Sequence, residues 1–170
     1  MSDDPDKKRE PVEIINPPHK LKQKVSGAGG PSAAMLAKAQ AAIEKMSGDY
    51  PDWASRDVEK LDALVAAITP GESTKGENVN QAFRMAHDMR GQGGSFGYPL
   101  MTRLSSSFCR FTEKMDKMDQ GGIDILKTHV NAMRAVISNR VHGEGGAVGT
   151  QIADGLEQAV QKYLDKHGLS

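Results

Sequence analysis

The sequence predicts an all-α protein. Apolar residues recur at intervals of three and four through most of the chain, and no stretch alternates with a period of two for long enough to form a convincing strand. The 170 residues suit one domain with a tail, and an apolar fraction of 38% with 5% aromatic residues is typical of helices with long polar faces. Short loops between the helices imply antiparallel neighbours.

The first 31 residues are predicted to be a disordered tail and linker. They are rich in proline, glycine and charge, and they contain the stretches INPPHKLKQK and SGAGGP. The short apolar piece Val12-Glu13-Ile14-Ile15 within this tail is either a docking motif or an idle segment. The helical domain is expected to span residues 32–168.

The helical domain divides into six predicted helices. Ser32 is the expected N-cap of the first helix, and Thr69-Pro70-Gly71 is expected to end the second. The predicted helices cover approximately residues 32–46, 52–68, 78–90, 98–118, 123–141 and 148–167.

Composition excludes several classes of function. Because 22 basic residues balance 22 acidic ones, no global positive field points to nucleic acid. The single cysteine, Cys109, excludes an intramolecular disulfide and a multi-cysteine zinc site, and we expect it to be a small core residue. The charged N-terminus is not a secretory signal, and no apolar run approaches the roughly 20 residues that span a bilayer. We therefore expect a cytoplasmic protein with no membrane partner and no metal site.

The stretch HDMRGQGGSFGY, residues 87–98, surrounds one histidine with glycines. On a helical wheel His87 lies off the apolar arc, beside Arg84 and Gly91, while Arg90 lies on its other side. Because helical side chains point towards the N-terminus, a side chain at position 91 would stand against the imidazole, and glycine leaves that patch open. The sequence therefore predicts an exposed histidine flanked by two guanidinium groups.

The glycines do not form a nucleotide-binding loop. Their positions, 91, 93, 94 and 97, do not fit G-x-G-x-x-G, a helix precedes them instead of a strand, and no Lys-Ser or Lys-Thr pair follows. The stretch HGEGGAVGT fails for the same reasons and is expected to be a loop between helices. His129 falls on the inner stripe of its helix and is expected to be packed or half-buried.

The segment AHDMRGQGGSFGYPLMTRLSSSFCRF resembles the histidine-containing phosphotransfer (HPt) family, and it is especially similar to the phosphotransfer domain of chemotaxis histidine kinases. That family's pattern is a histidine, an apolar residue, a basic residue and a set of glycines and small residues at fixed spacings. Gln92 stands where a small residue is usual, and Cys109 aligns with the carboxylate that holds the imidazole tautomer in chemotaxis domains. The matching residues are His87, Met89, Arg90, Gly91, Gly93, Gly94, Phe96 and Gly97.

The resemblance implies an antiparallel four-helix bundle with additional N-terminal helices. It also implies a phosphorelay intermediate, in which the phosphoryl group is carried on His87, stabilised by Arg90 and, as a second candidate, by Arg84. Free imidazole has a pKa of about 6.5, so a histidine side chain is a good nucleophile for phosphorus at pH 7. The residues expected to serve partner access and binding are Gly91, Gly94, Gly97 and Met85.

The implied partners are a receiver domain of a response regulator and a hybrid histidine kinase. The receiver would supply Mg²⁺ and the acceptor aspartate, so we expect no cofactor on this chain, and we expect a monomer. No ATP-binding kinase domain follows the motif, so we expect a carrier of phosphohistidine without ATP-dependent kinase activity.

Two alternatives remain at this point. The first is a catalytically silent helical adaptor that keeps the fold and docks a receiver or kinase, inhibiting or scaffolding it. The second is a general helical scaffold whose N-terminal tail does the binding.

Overall fold

The protein is all-helical over the part of the chain that the structure describes. The computed structural model describes residues 30–169 and contains five helices there, with one isolated β-bridge between Ser73 and Lys117 and no longer strand. The prediction of an all-α fold is confirmed. The helices are α1 Ala33–Ala67, α2 Glu77–Ser95, α3 Pro99–Lys114, α4 Gln120–Ser138 and α5 Gly146–Lys166.

The chain divides into two units, Met1–Ala37 and Lys38–Ser170. In the first unit, Ser32 caps α1 as predicted, since its Oγ accepts a hydrogen bond from the backbone N–H of Met35 at 3.2 Å. Most of the predicted tail, including the apolar piece at residues 12–15, lies outside the described residues.

The first two predicted helices are in fact one helix, α1. The sequence predicted a break over residues 47–51, but the helix continues through them, although an interior proline removes a helical hydrogen bond and costs about 3 kcal/mol. Pro51 lies buried within α1. The adjacent Tyr50 is also buried, and its ring lies 5.0 Å from that of Phe96 and 5.1 Å from that of Tyr98. Tertiary packing at this turn therefore overrides the local preference of proline.

Helix α3 lies at the centre of the second unit, where it packs against α2, α4 and α5. The guanidinium group of Arg103 in α3 forms salt bridges to α5. Its Nη2 lies 2.5 Å from Asp154 Oδ1 and 2.8 Å from Glu157 Oε2. The buried apolar side chains of α3 supply much of the core: Leu100, Met101, Leu104, Phe108, Cys109 and Phe111. The burial of Cys109 confirms its prediction as a core residue.

Helix α4 is joined to α3 through His129, which was predicted to be packed or half-buried and is fully buried. Its Nδ1 lies 2.9 Å from the carbonyl oxygen of Ile125, and its Nε2 lies 3.0 Å from Ser107 Oγ. A carbonyl oxygen can only accept, so the neutral ring carries its proton on Nδ1 and the Ser107 hydroxyl donates to Nε2. Burial lowers the pKa of His129.

The N-terminal end of α4 is capped by Asp119, which also contacts α5. The Asp119 carboxylate accepts a hydrogen bond from the backbone N–H of Gly122 at 2.8 Å and another from the Tyr163 hydroxyl. These bonds hold the pKa of Asp119 below its usual value. Helix α4 ends at Ser138, so His142 lies in the loop beyond it, where its Nε2 is 3.1 Å from the Tyr98 hydroxyl.

Candidate functional site

Helix α2 carries the candidate site and is longer than predicted. The sequence predicts its end near residue 90, yet the helix runs to Ser95 through three glycines, Gly91, Gly93 and Gly94. At the C-terminal end of the helix, the carbonyl oxygen of Gly93 accepts a capping hydrogen bond from the Tyr98 N–H at 2.8 Å. Residue 91 is therefore a helix-interior position, where glycine is unfavourable unless something else requires it.

His87 is exposed on the outer face of α2, which confirms the prediction made from the helical wheel. Its side chain is 52% exposed. The opposite face packs into the core through Val79, Ala82, Ala86, Met89 and Gly93. The exposed positions form one stripe, made up of Glu77, Gln81, Arg84, His87, Asp88, Gly91, Gly94 and Ser95.

The imidazole of His87 is free of hydrogen bonds to residues 30–169. Its nearest acidic group is Asp88, whose Oδ1 lies 3.9 Å from Nδ1. One turn earlier, the ring of Phe83 lies with its centroid 6.2 Å from that of the imidazole. The ring nitrogens are thus available to an incoming group.

Arg84 and Arg90 flank His87 at a distance of three residues on either side. Arg84 is exposed and Arg90 is half-buried. Within the described residues Arg84, Arg90 and Arg56 form no ion pair, whereas Arg103, Arg110, Arg134 and Arg140 all do. Two cationic groups beside a free imidazole suit a doubly charged group such as phosphoryl.

The glycines that follow His87 have different surroundings. A Cβ built on Gly91 would have no atom within 4 Å, so this position leaves open space, and a Cβ on Gly94 would make one ordinary contact at 3.6 Å. Gly97 has φ +81°, a left-handed conformation that favours glycine. A Cβ on Gly93 would come within 2.9 Å of backbone atoms of Thr102 and Tyr98.

Gly91 thus fits the predicted role in access, and Gly97 has a conformational reason of its own to be glycine. Met85, also predicted at the binding surface, is half-buried and packs against the core.

Cys109, aligned with the family's tautomer-holding carboxylate, forms no hydrogen bond with the imidazole. Its Sγ lies 3.9 Å from the carbonyl oxygen of Phe83. Burial raises the pKa of the Cys109 thiol to about 11, while the charge of Arg90 acts in the opposite direction. The thiol is therefore neutral at physiological pH and cannot replace a carboxylate as an acceptor for the imidazole.

Sequence reasoning missed Thr102. Its Oγ1 donates a hydrogen bond to the carbonyl oxygen of Arg90 at 3.0 Å, and this bond joins the first turn of α3 to the glycine-rich end of α2. Nothing in the local pattern of α3 marks this threonine, because the contact depends on how two helices cross.

No protein-family model, curated protein or solved structure matches this chain. Within residues 30–169, no helix has the length and hydropathy needed to cross a bilayer. The same residues contain no group of three or more histidine, cysteine, aspartate or glutamate side chains placed to hold a metal ion.

Proposed function

We propose that this chain is a histidine phosphotransfer protein of a phosphorelay, in which His87 carries a phosphoryl group to and from aspartates of receiver domains. The observation that carries the proposal is the exposed, unbonded imidazole of His87 on a helix face that Gly91 leaves open. We also propose that α2, α3, α4 and α5 form the four-helix bundle typical of that family, with α1 as the additional N-terminal helix.

In this mechanism a ring nitrogen of neutral His87 attacks the phosphorus of an aspartyl phosphate on the receiver. The N–P bond forms as the P–O bond to the aspartate breaks, and the aspartate leaves as a carboxylate. Catalysis of such a transfer is mostly positioning and charge stabilisation. Arg90 and Arg84 are free to neutralise the phosphoryl oxygens, and the receiver supplies the Mg²⁺.

The proposal is tested by transfer from a panel of phosphorylated receiver domains in the presence of Mg²⁺. We expect at least one receiver to lose its phosphoryl group to this chain as an acid-labile, base-stable adduct. His87→Gln should abolish the labelling. His167→Gln is the matched control, because His167 is another exposed histidine, and it should label normally.

One observation favours the adaptor as a second candidate. Within the described residues no carboxylate or carbonyl hydrogen-bonds the His87 ring to fix its tautomer, and the aligned position holds the neutral thiol of Cys109. An adaptor needs no fixed tautomer. It would bind a receiver or kinase equally well with His87→Gln and would take up no phosphoryl group.

A further inference from the structure

Thr102 makes a direct hydrogen bond from α3 to the C-terminal end of α2. Thr102 Oγ1 lies 3.0 Å from the Arg90 carbonyl oxygen. A Cβ on Gly93 would lie 2.8 Å from the same Oγ1 and 2.9 Å from the Thr102 nitrogen. The missing side chain at position 93 is therefore what allows the threonine hydroxyl to reach the carbonyl.

The segment that receives this bond is intrinsically weak as a helix. Three of the four residues from 91 to 94 are glycine, and each costs about 1 kcal/mol relative to alanine in a helix interior. Arg90 is the last residue before this stretch. Without tertiary support, the turn that includes Arg90 and the open face beside His87 would fray.

We propose that Thr102 is a positioning residue for the phosphoryl-binding face. By holding the Arg90 carbonyl, it keeps the last turns of α2 helical and fixes the stem of the Arg90 guanidinium relative to His87. Thr102 itself touches no phosphoryl group and acts through Arg90. The inference rests on the proposed phosphotransfer function and assigns to this site a supporting residue on a second helix.

Two variants at this position test the inference. Thr102→Val keeps the shape and removes the donor, whereas Thr102→Ser keeps the donor. A hydrogen bond of this kind is worth about 1 kcal/mol, which corresponds to roughly fivefold in rate. Thr102→Val should slow transfer from a phosphorylated receiver by that factor and leave the affinity for the unphosphorylated receiver nearly unchanged. Thr102→Ser should restore the rate.

The matched control is Ser106→Ala, one turn along α3. The Ser106 hydroxyl donates to the Thr102 carbonyl within the same helix at 2.7 Å and forms no hydrogen bond to α2. Its removal should leave the transfer rate unchanged. Amide hydrogen exchange provides a second measurement, since the N–H groups of Gly94 and Ser95 should exchange faster in Thr102→Val and normally in Ser106→Ala.

Three outcomes would overturn the inference. If Thr102→Val transfers as fast as the wild-type chain, Thr102 positions nothing, although the phosphotransfer function stands. If Thr102→Val loses rate and affinity in equal proportion and Thr102→Ser does not recover them, the residue serves only the fold. If the wild-type chain is never labelled at His87, the phosphotransfer function and this inference both fail.

Discussion

At the scale of single residues, the glycines after His87 are of two kinds. Some leave open space on the helix surface, and others allow a neighbouring segment to approach closely. Gly91 faces open space, whereas Gly93 lies against the backbone of α3. The sequence shows only a glycine-rich stretch and cannot distinguish the two, because the difference depends on where α3 crosses α2.

This difference predicts opposite effects of alanine on stability. Gly91→Ala adds a methyl group to an open helix-interior position and should raise the free energy of unfolding by up to about 1 kcal/mol. Gly93→Ala places a Cβ within 2.9 Å of backbone atoms and should lower it by about 1–3 kcal/mol. Urea denaturation of the two variants measures both effects. A Gly93→Ala chain as stable as the wild type would contradict the contact described here.

A larger side chain at position 91 tests access to the imidazole. Gly91→Leu should fold normally, since nothing lies within 4 Å of the position, and should slow phosphoryl transfer by blocking the approach to His87. Stopped-flow transfer kinetics check this, with circular dichroism as the control for folding. Unchanged kinetics in the folded variant would show that Gly91 has no role in access.

Removing the Arg90 guanidinium should reduce the rate of phosphoryl transfer more than it reduces the affinity for the receiver. Because no ion pair within residues 30–169 uses its guanidinium, Arg90→Ala leaves no described carboxylate without a partner. A charge-assisted contact is worth roughly 1.5–3 kcal/mol, so the variant should slow transfer by about one to two decades. Its affinity for the unphosphorylated receiver should fall much less, and Arg90→Lys should recover part of the rate. Equal losses of rate and affinity would favour the adaptor.

At the scale of helices, periodicity predicted the cores of α2 to α5 well and their ends less well. The apolar stripe of α2 and the outward position of His87 follow from spacing alone. The continuity of α1 through Pro51 and the extension of α2 through Gly94 do not, because contacts with distant residues stabilise both. These contacts are the Tyr50 ring against Phe96 and Tyr98, and the Thr102 hydroxyl against the Arg90 carbonyl.

The buried Tyr50 gives a prediction for α1. Its hydroxyl has no hydrogen-bond partner among the described residues, and burial raises the pKa of Tyr50 to about 12. Tyr50→Phe removes the unpartnered hydroxyl and should leave stability unchanged or raise it by about 1 kcal/mol. Tyr50→Ala should lower stability by about 3–5 kcal/mol, as for other large buried rings. Thermal or urea unfolding of the two variants measures both effects. A large loss of stability in Tyr50→Phe would show that the hydroxyl is hydrogen-bonded.

The α3–α4 contact predicts a dependence of stability on pH. Burial holds the pKa of His129 below its ordinary value of 6.5, so the unfolded chain binds more protons than the folded one once the pH falls below that value. This contribution is complete above about pH 6.5. It is lost on acidification towards the folded-state pKa, at up to about 1.4 kcal/mol per pH unit.

Urea denaturation between pH 7 and pH 5 measures this slope, which His129→Gln should flatten. Asp119 and Glu157 also have lowered pKa values, but their ordinary values are 3.8 and 4.5, so their contributions are lost below this window. The same slope in the variant would assign the titration to another group.

At the scale of the whole molecule, the sequence predicted the all-helical class and the exposed histidine. It could not show that the Cys109 thiol bonds the Phe83 carbonyl or that Thr102 joins two helices beside the site. Both facts depend on packing between segments separated in the chain. The proposed carrier function rests on the exposed His87 ring and on the unpaired guanidinium groups of Arg84 and Arg90. Phosphorylation of that ring is therefore the property to measure.

The most direct measurement is mass spectrometry of the chain after transfer from a phosphorylated receiver. Cleavage after Arg84 and Arg90 releases residues 85–90, a peptide with one histidine and no serine, threonine or tyrosine. We predict one base-stable, acid-labile phosphoryl group on this peptide, and none on it in His87→Gln. A base-labile adduct would place the group on Asp88. An unmodified peptide from a chain that binds the receiver would contradict the carrier function and favour the adaptor.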